Sequence, residues 1–253
     1  MFQSIGDYRG ASGGRDALIG LAGAVLAGVG DVLILGRACS GSDFDRAAGV
    51  LQADSEVEDR WRSLWNGAVL PSSRIHIGTI IGNIGVAVVA WFGLWRASQT
   101  IEPGPERKLA TGAAAAFAIS GVATHWSCGS VILAYRRALQ AAESTVAPPT
   151  SPRSVTRLLE VSAVASLGAL AVLSVSLTAA SLRGRSTTPI QRSAITPLPF
   201  VAATLATFGA LPAPVGGYAR PASISIGLAV YMTLVAISTR GDLTSGRHPV
   251  RSS

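Results

Sequence analysis

The sequence predicts an all-α fold, a polytopic transmembrane helical bundle of about six spans, and three observations carry that prediction. Only 14% of the 253 residues are charged while 49% are hydrophobic, whereas a soluble domain carries about a quarter charged residues. The charges are unevenly placed, leaving stretches almost free of them at about 20 residues each, the length a helix needs to cross a bilayer. The arginines stand singly or in pairs at the ends of these stretches, where they anchor spans among lipid headgroups. The net charge of +7 is therefore read as anchoring, with no nucleic-acid partner. Lys108 is the sole lysine among 21 basic residues and Gly contributes 28 positions, a composition typical of bacterial genes rich in GC.

A polar tail over 1–16 holds Asp7, Arg9, Arg15 and Asp16. The first span, near 17–36, is longer than the apolar region of a signal peptide and is read as retained. In the following loop, "SEVEDRWRSLWNGA" sets Ser55 and Glu58 at capping-box spacing. Val57, Trp61, Leu64, Trp65 and Ala68 then share one helical face. This pattern suits an interfacial amphipathic helix in the headgroup layer, or a lid packed on the mouth of the bundle. Further spans are expected near 75–95, 109–134, 158–182, 194–213 and 221–239, followed by a polar tail over 240–253. Pro197, Pro199, Pro212 and Pro214 fall in or beside the fifth, which is read as either continuous or broken and re-entrant. Six spans put both termini on one side. Basic residues divide almost evenly between the two sides and tip the termini inward by one. The expectation is a multi-pass protein of a plasma membrane, in contact with membrane lipid.

The polar residues inside these spans are not scattered. Asp31 near the end of span one, His76 and Asn83 in span two, His125 and Cys128 in span three and Glu160 in span four all fall within roughly 15 Å of the first-loop surface. A charge near the bilayer centre costs about 2.5–3.5 kcal/mol, so such groups usually face the bundle interior. His76 and Glu160 are shallow, and Arg157 stands at helical spacing to pair with Glu160. Asp31, Asn83 and His125 are the candidate binding residues. Their helices carry rows of small residues: Gly20, Ala24 and Gly28 beside Gly23, Ala27 and Asp31; Gly78 with Gly82; and Gly121, His125 and Gly129. Such rows let membrane helices pack backbone to backbone, and Gly78 with Gly82 equally admits a homo-oligomer.

Three chemistries suit that cluster. A buried His–Asp pair can pass a proton. A metal could be held by His125 with Cys128, His76 and Asp31, although neither HExxH nor paired CxxC spacing is present. The third reading is polar glue that fixes helix register. Haem is disfavoured, because His76 and His125 are separated by roughly 10 Å along the membrane normal. A retinal Schiff base is excluded, since Lys108 lies in a loop, and no nucleotide-binding glycine pattern follows a strand. Cys39 and Cys128 give no disulfide framework.

GDVLILG closing span one, RIHIGTIIGNIG opening span two, GVATHWSCG in span three, and ITPLPF with LPAP later occur in an order that resembles an uncharacterised family of bacterial multi-span membrane proteins, a domain of unknown function. The resemblance covers most of 17–239 and implies a helical membrane bundle with no assigned activity. The chain differs from the ceramidase- and progestin-receptor-like zinc hydrolases, since it has no late histidine pair. The functional expectation is binding or passage of a small solute, proton or lipid through a pocket open toward the first loop. The alternatives are a membrane-embedded metal-dependent enzyme and a non-catalytic membrane subunit.

Overall fold

A computed structural model of the chain describes residues 4–36, 42–53, 62–142, 152–186, 195–211 and 219–244. The described elements are helical: α1 Ser4–Leu35, α2 Ser42–Ala53, α3 Arg62–Ala68, α4 Ser72–Val88 with a π-helical continuation Val89–Trp95, α5 Arg96–Gln99, α6 Pro105–Ala142, α7 Pro152–Leu182, α8 Pro197–Gly209 and α9 Ser223–Thr244. Among the described residues, four stretches are long and apolar enough to cross a membrane: Gly14–Leu35, Ser72–Gln99, Pro105–Ala142 and Val155–Leu182. Pro197–Gly209 and Ser223–Thr239 are apolar but shorter. The expected fifth span is thus a 13-residue helix. Pro197 and Pro199 do not interrupt it; they stand in its first turn, where a missing N–H leaves no intrahelical bond unmade. Helix α1 begins inside the expected tail 1–16, and α9 runs into the expected tail 240–253.

The six larger helices close into a ring in which α1 packs on α4 and α9, α4 on α6, α6 on α7, α7 on α8, and α8 on α9. Lipid tails are as apolar as leucine, so no hydrophobic force drives helices together inside a bilayer and close approach must. Glycine supplies it between α1 and α4. A Cβ on Gly23 would stand 2.7 Å from the Val89 nitrogen, and one on Gly30 would stand 2.5 Å from Gly82 Cα, so the two backbones touch. Serine supplies it between α6 and α7, where the Ser166 hydroxyl donates to Ser120 at 3.0 Å and the Ser127 and Ser162 hydroxyls lie 3.5 Å apart. Gly112 is exposed with nothing near it, and takes no part.

The first loop folds back on the bundle. Trp65 and Leu51 are fully buried, and with Ile34, Ile75, Ile132 and Tyr135 they form a core that caps the first-loop end. Here the interfacial expectation is corrected toward the lid. Helix α3 has only seven residues and cannot hold its shape alone. It is stabilised by packing Leu64, Trp65 and Ala68 inward, with Gly67 pressed so close that a Cβ would meet Ile132 Cγ2 at 2.7 Å. Ser55, Val57, Glu58 and Trp61 lie outside the described residues. Two arginines close the same end by capping helix carbonyls, a favourable place for a cation. Arg136 donates to Leu70 O at 2.5 Å, and Arg74 to Val32 O and Leu33 O at 3.0 Å.

A second, larger core fills the opposite half, with Phe117, Leu170, Leu173, Val201, Tyr231 and Met232 among its members. Its outer end is sealed by ion pairs. The α7 helix terminates at Gly184, whose φ of 68° is the left-handed conformation glycine adopts without strain. Arg185 N donates to Ala180 O at 2.8 Å and Gly184 N to Ser181 O at 3.0 Å, the double bond pattern of a Schellman turn. That turn brings Arg183 and Arg185 onto the buried carboxylate of Glu106, and Arg96 pairs with Asp16 at 3.2 Å nearby.

Candidate functional site

Between the two apolar cores lies a polar layer, and its centre is Asp31. The α1–α4 glycine contact sets the register: Gly30 meets Gly82, and the next residue, Asp31, turns past α4 toward α6. His125 approaches from α6 in the space Gly82 leaves open. A Cβ on Gly82 would overlap His125 Cδ2 and stand 3.0 Å from Nε2. The imidazole is anchored by Nδ1, 3.2 Å from the Gly121 carbonyl one turn earlier. Its Nε2 lies 2.9 Å from Asp31 Oδ1. That approach is a close contact without an aligned hydrogen bond, and it is an ion pair when the ring is protonated. The other carboxylate oxygen, Oδ2, accepts the Ser225 hydroxyl of α9 at 2.8 Å. Asp31 therefore joins three helices that are remote in sequence. The His125 and Asp31 side chains are 12% and 17% exposed, deep enough for their charges to be weakly screened.

Of the other expected binding and metal residues, Asn83 sits on α4 beside Gly82, half-buried, with a buried Oδ1 that has no hydrogen-bond partner. Cys128 lies one turn beyond His125 on α6 and packs against the first-loop core. His76 is exposed in the first turn of α4, away from the pair. Among the described residues no three His, Cys, Asp or Glu side chains gather closely enough to hold a metal. The set His125, Cys128, His76 and Asp31 is thus not assembled around one point; Asp31 and His125 meet and the other two stand apart. Cys39 lies outside the described residues.

Ser225 is the member that sequence reasoning missed. It occurs in "SISIG" of α9, where a serine in an apolar helix commonly bonds a carbonyl of the preceding turn, as Thr233 does with Ala229 O at 2.8 Å. Only the packing of α9 on α1 distinguishes it. Gly28 opens that contact, since a Cβ there would stand 3.3 Å from Ser225 Cβ.

A family model described as a family of unknown function (DUF6796) matches residues 14–240. No curated protein and no solved structure matches the chain.

Proposed function

The chain belongs to this family of unknown function, and from its geometry we propose that it binds and releases a proton inside the membrane, at the Asp31–His125 pair. The observation that carries the proposal is the placing of the two imidazole nitrogens. A backbone carbonyl only accepts, so Nδ1 facing Gly121 O bears a hydrogen. If the ring is neutral, Nε2 then presents a lone pair to Asp31 Oδ1 at 2.9 Å. An ionised carboxylate in that position would set two lone pairs against each other where water does not screen them. One further proton removes the conflict, whether it makes an imidazolium facing a carboxylate or a carboxylic acid facing a neutral ring.

Ser225 completes the site by giving the carboxyl its second hydrogen bond. Loss of the proton turns the Asp31–His125 attraction into repulsion and loosens α1 from α6, so occupancy is coupled to helix packing. Among a small solute, a lipid and a proton, the proton fits best, because protein atoms surround the pair: Gly82 against the ring, Gly121 on Nδ1 and Ser225 on Oδ2. The four long apolar helices support a multi-pass protein, and the arginine anchoring with the Ala- and Gly-rich composition supports a bacterial plasma membrane.

The test is to count the proton. Nitrogen-15 NMR of the histidines and infrared spectroscopy of carboxyl groups are recorded on protein in lipid bilayers between about pH 5 and 9. The expected result is an imidazolium at His125 or a protonated carboxyl at Asp31 over part of that range, abolished in Asp31→Asn. A neutral His125 beside an ionised Asp31 throughout would overturn the proposal.

A further inference from the structure

Outside the polar layer, the outer flank of the α1–α9 contact holds a groove of about 580 Å³, walled by Val25, Val29 and Val32 on one side and Ile226, Ala229 and Val230 on the other. Its floor is Gly28 with Ser225, where the two helices approach most closely and the small side chains leave the space above them unfilled. The volume lies within the range that encloses small ligands. Val25, Val29 and Val230 are 53%, 45% and 41% exposed, so the groove opens outward, toward acyl chains in a membrane-spanning bundle. Its first-loop end has a different character. Val32 and Leu33 both line the groove, and their carbonyls hold the Arg74 guanidinium at 3.0 Å. Those bonds and the one to Gly36 O use Nε and Nη2, while Nη1 takes part in none of them. On the other side, exposed Arg220 stands two residues before Ala222, which also lines the groove, and its Nη2 donates to the Leu211 carbonyl. Arg220 precedes Ser225 by five residues, and Val32, Leu33 and Gly36, whose carbonyls Arg74 bonds, follow Asp31, so both arginines stand on the first-loop side of the Asp31–Ser225 contact.

We infer that this groove is a binding site for one anionic phospholipid, its acyl chain lying along Val25, Val29, Ile226 and Val230 and its phosphate held between Arg74 and Arg220. Guanidinium groups are the side chains best suited to phosphate oxygens. A second copy of the chain is a poorer occupant, since it carries the same +7 charge and the same two arginines. The inference does not rest on proton binding at Asp31, although Ser225 in the groove floor is the residue whose hydroxyl Asp31 accepts.

The test uses full-length protein reconstituted in phosphatidylcholine, with spin-labelled phosphatidylglycerol and phosphatidylcholine of identical chains, the motionally restricted fraction being read by electron spin resonance. The expected result is a preference of about 25-fold for phosphatidylglycerol that falls roughly fivefold with each of Arg74→Gln and Arg220→Gln. Val29→Trp, at an exposed position, fills the groove and is expected to abolish the preference with helicity unchanged; Val25→Trp repeats the measurement one turn away. Equal restriction of the two lipids by the native protein overturns the inference. So does a preference that survives both tryptophan variants, which would place the phosphate on the surface alone. Inter-chain cross-linking at position 29 that excludes labelled lipid would assign the groove to a second copy and overturn it as well.

Discussion

Gly82 tests whether the Asp31–His125 geometry depends on the space between α4 and α6. Replacing it with alanine puts a methyl carbon in hard overlap with His125 Cδ2, 3.0 Å from Nε2 and 3.3 Å from Cγ. The ring must withdraw by about an ångström to regain ordinary van der Waals separation. It cannot do so and keep Nε2 at 2.9 Å from Asp31 Oδ1 while Nδ1 stays on Gly121 O. Overpacking of this kind costs about 1–3 kcal/mol. Gly112→Ala is the matched control, because the same atom is added to the same class of helix with nothing within 4 Å to meet it. There the helix propensity of alanine over glycine stabilises by about 0.8–1 kcal/mol. In Gly82→Ala the same propensity term offsets part of the overpacking, so the two variants are expected to differ by the overpacking cost, about 1–3 kcal/mol, with Gly82→Ala the less stable. Unfolding in mixed micelles titrated with sodium dodecyl sulfate, followed by circular dichroism, measures the difference, and nitrogen-15 NMR follows His125. Equal stability of the two variants, or native His125 resonances in Gly82→Ala, would refute the argument.

Ser225→Ala removes one hydrogen bond to Asp31 Oδ2 and leaves the His125 contact in place. It is expected to cost about 0.6–1.7 kcal/mol in the same titration, the range found for polar contacts between membrane helices. Trp65→Ala empties a fully buried site in the first-loop core and is expected to cost about 3–5 kcal/mol. In the native protein, brominated lipids are expected to quench Trp91 and Trp126, which are 55% and 56% exposed, but not Trp65. Quenching of Trp65 in a variant that retains no other tryptophan would return α3 to the headgroup layer. Glu106→Gln is expected to lower the melting temperature and to make Arg183→Gln nearly without further effect, because the two share one ion pair. Additive losses would show that Arg183 acts elsewhere.

Much of the architecture was legible because a bilayer reads sequence simply. Twenty apolar residues with arginines at their ends make a span in almost any context, and α1, α4, α6 and α7 follow that rule. The fifth span was ambiguous for a stated reason: a proline reads as a break when its place in the helix is unknown, and as a good start once Thr196 is seen in extended backbone before Pro197. The π-helical turn Val89–Trp95 left no trace in the pattern, although it ends with Trp91 and Trp95 stacked at 5.1 Å. Of the loop helix's apolar face, the described Leu64, Trp65 and Ala68 are buried as their spacing predicts. Periodicity tells that a face is buried and is silent on whether lipid or protein buries it.

The site divides in the same way. Asp31 and His125 stood out because charge inside a membrane is costly and rare. Their pairing followed from small residues at Gly82, Gly121 and Gly129 that let three helices meet. His76 and Cys128 shared the depth but not the direction: His76 sits in the first turn of α4, and Cys128 is rotated toward the first-loop core. Depth is one coordinate, and a ligand set needs all three. Ser225 was silent because serine is an ordinary resident of membrane helices, and nothing in its neighbours says which one it will touch.

The hydroxyl that Asp31 accepts lies 194 residues further along the chain. At about 5–20 residues per second, a ribosome needs roughly 10–40 s to bring Ser225 to the carboxylate, and roughly half that to bring His125. Through that interval the first helix resides in the bilayer with an acid that has no partner, then with one partner, and only at the last helix with both. The order of synthesis thus leaves the carboxyl of the first helix without its second hydrogen bond until α9, the last of the described helices, is made.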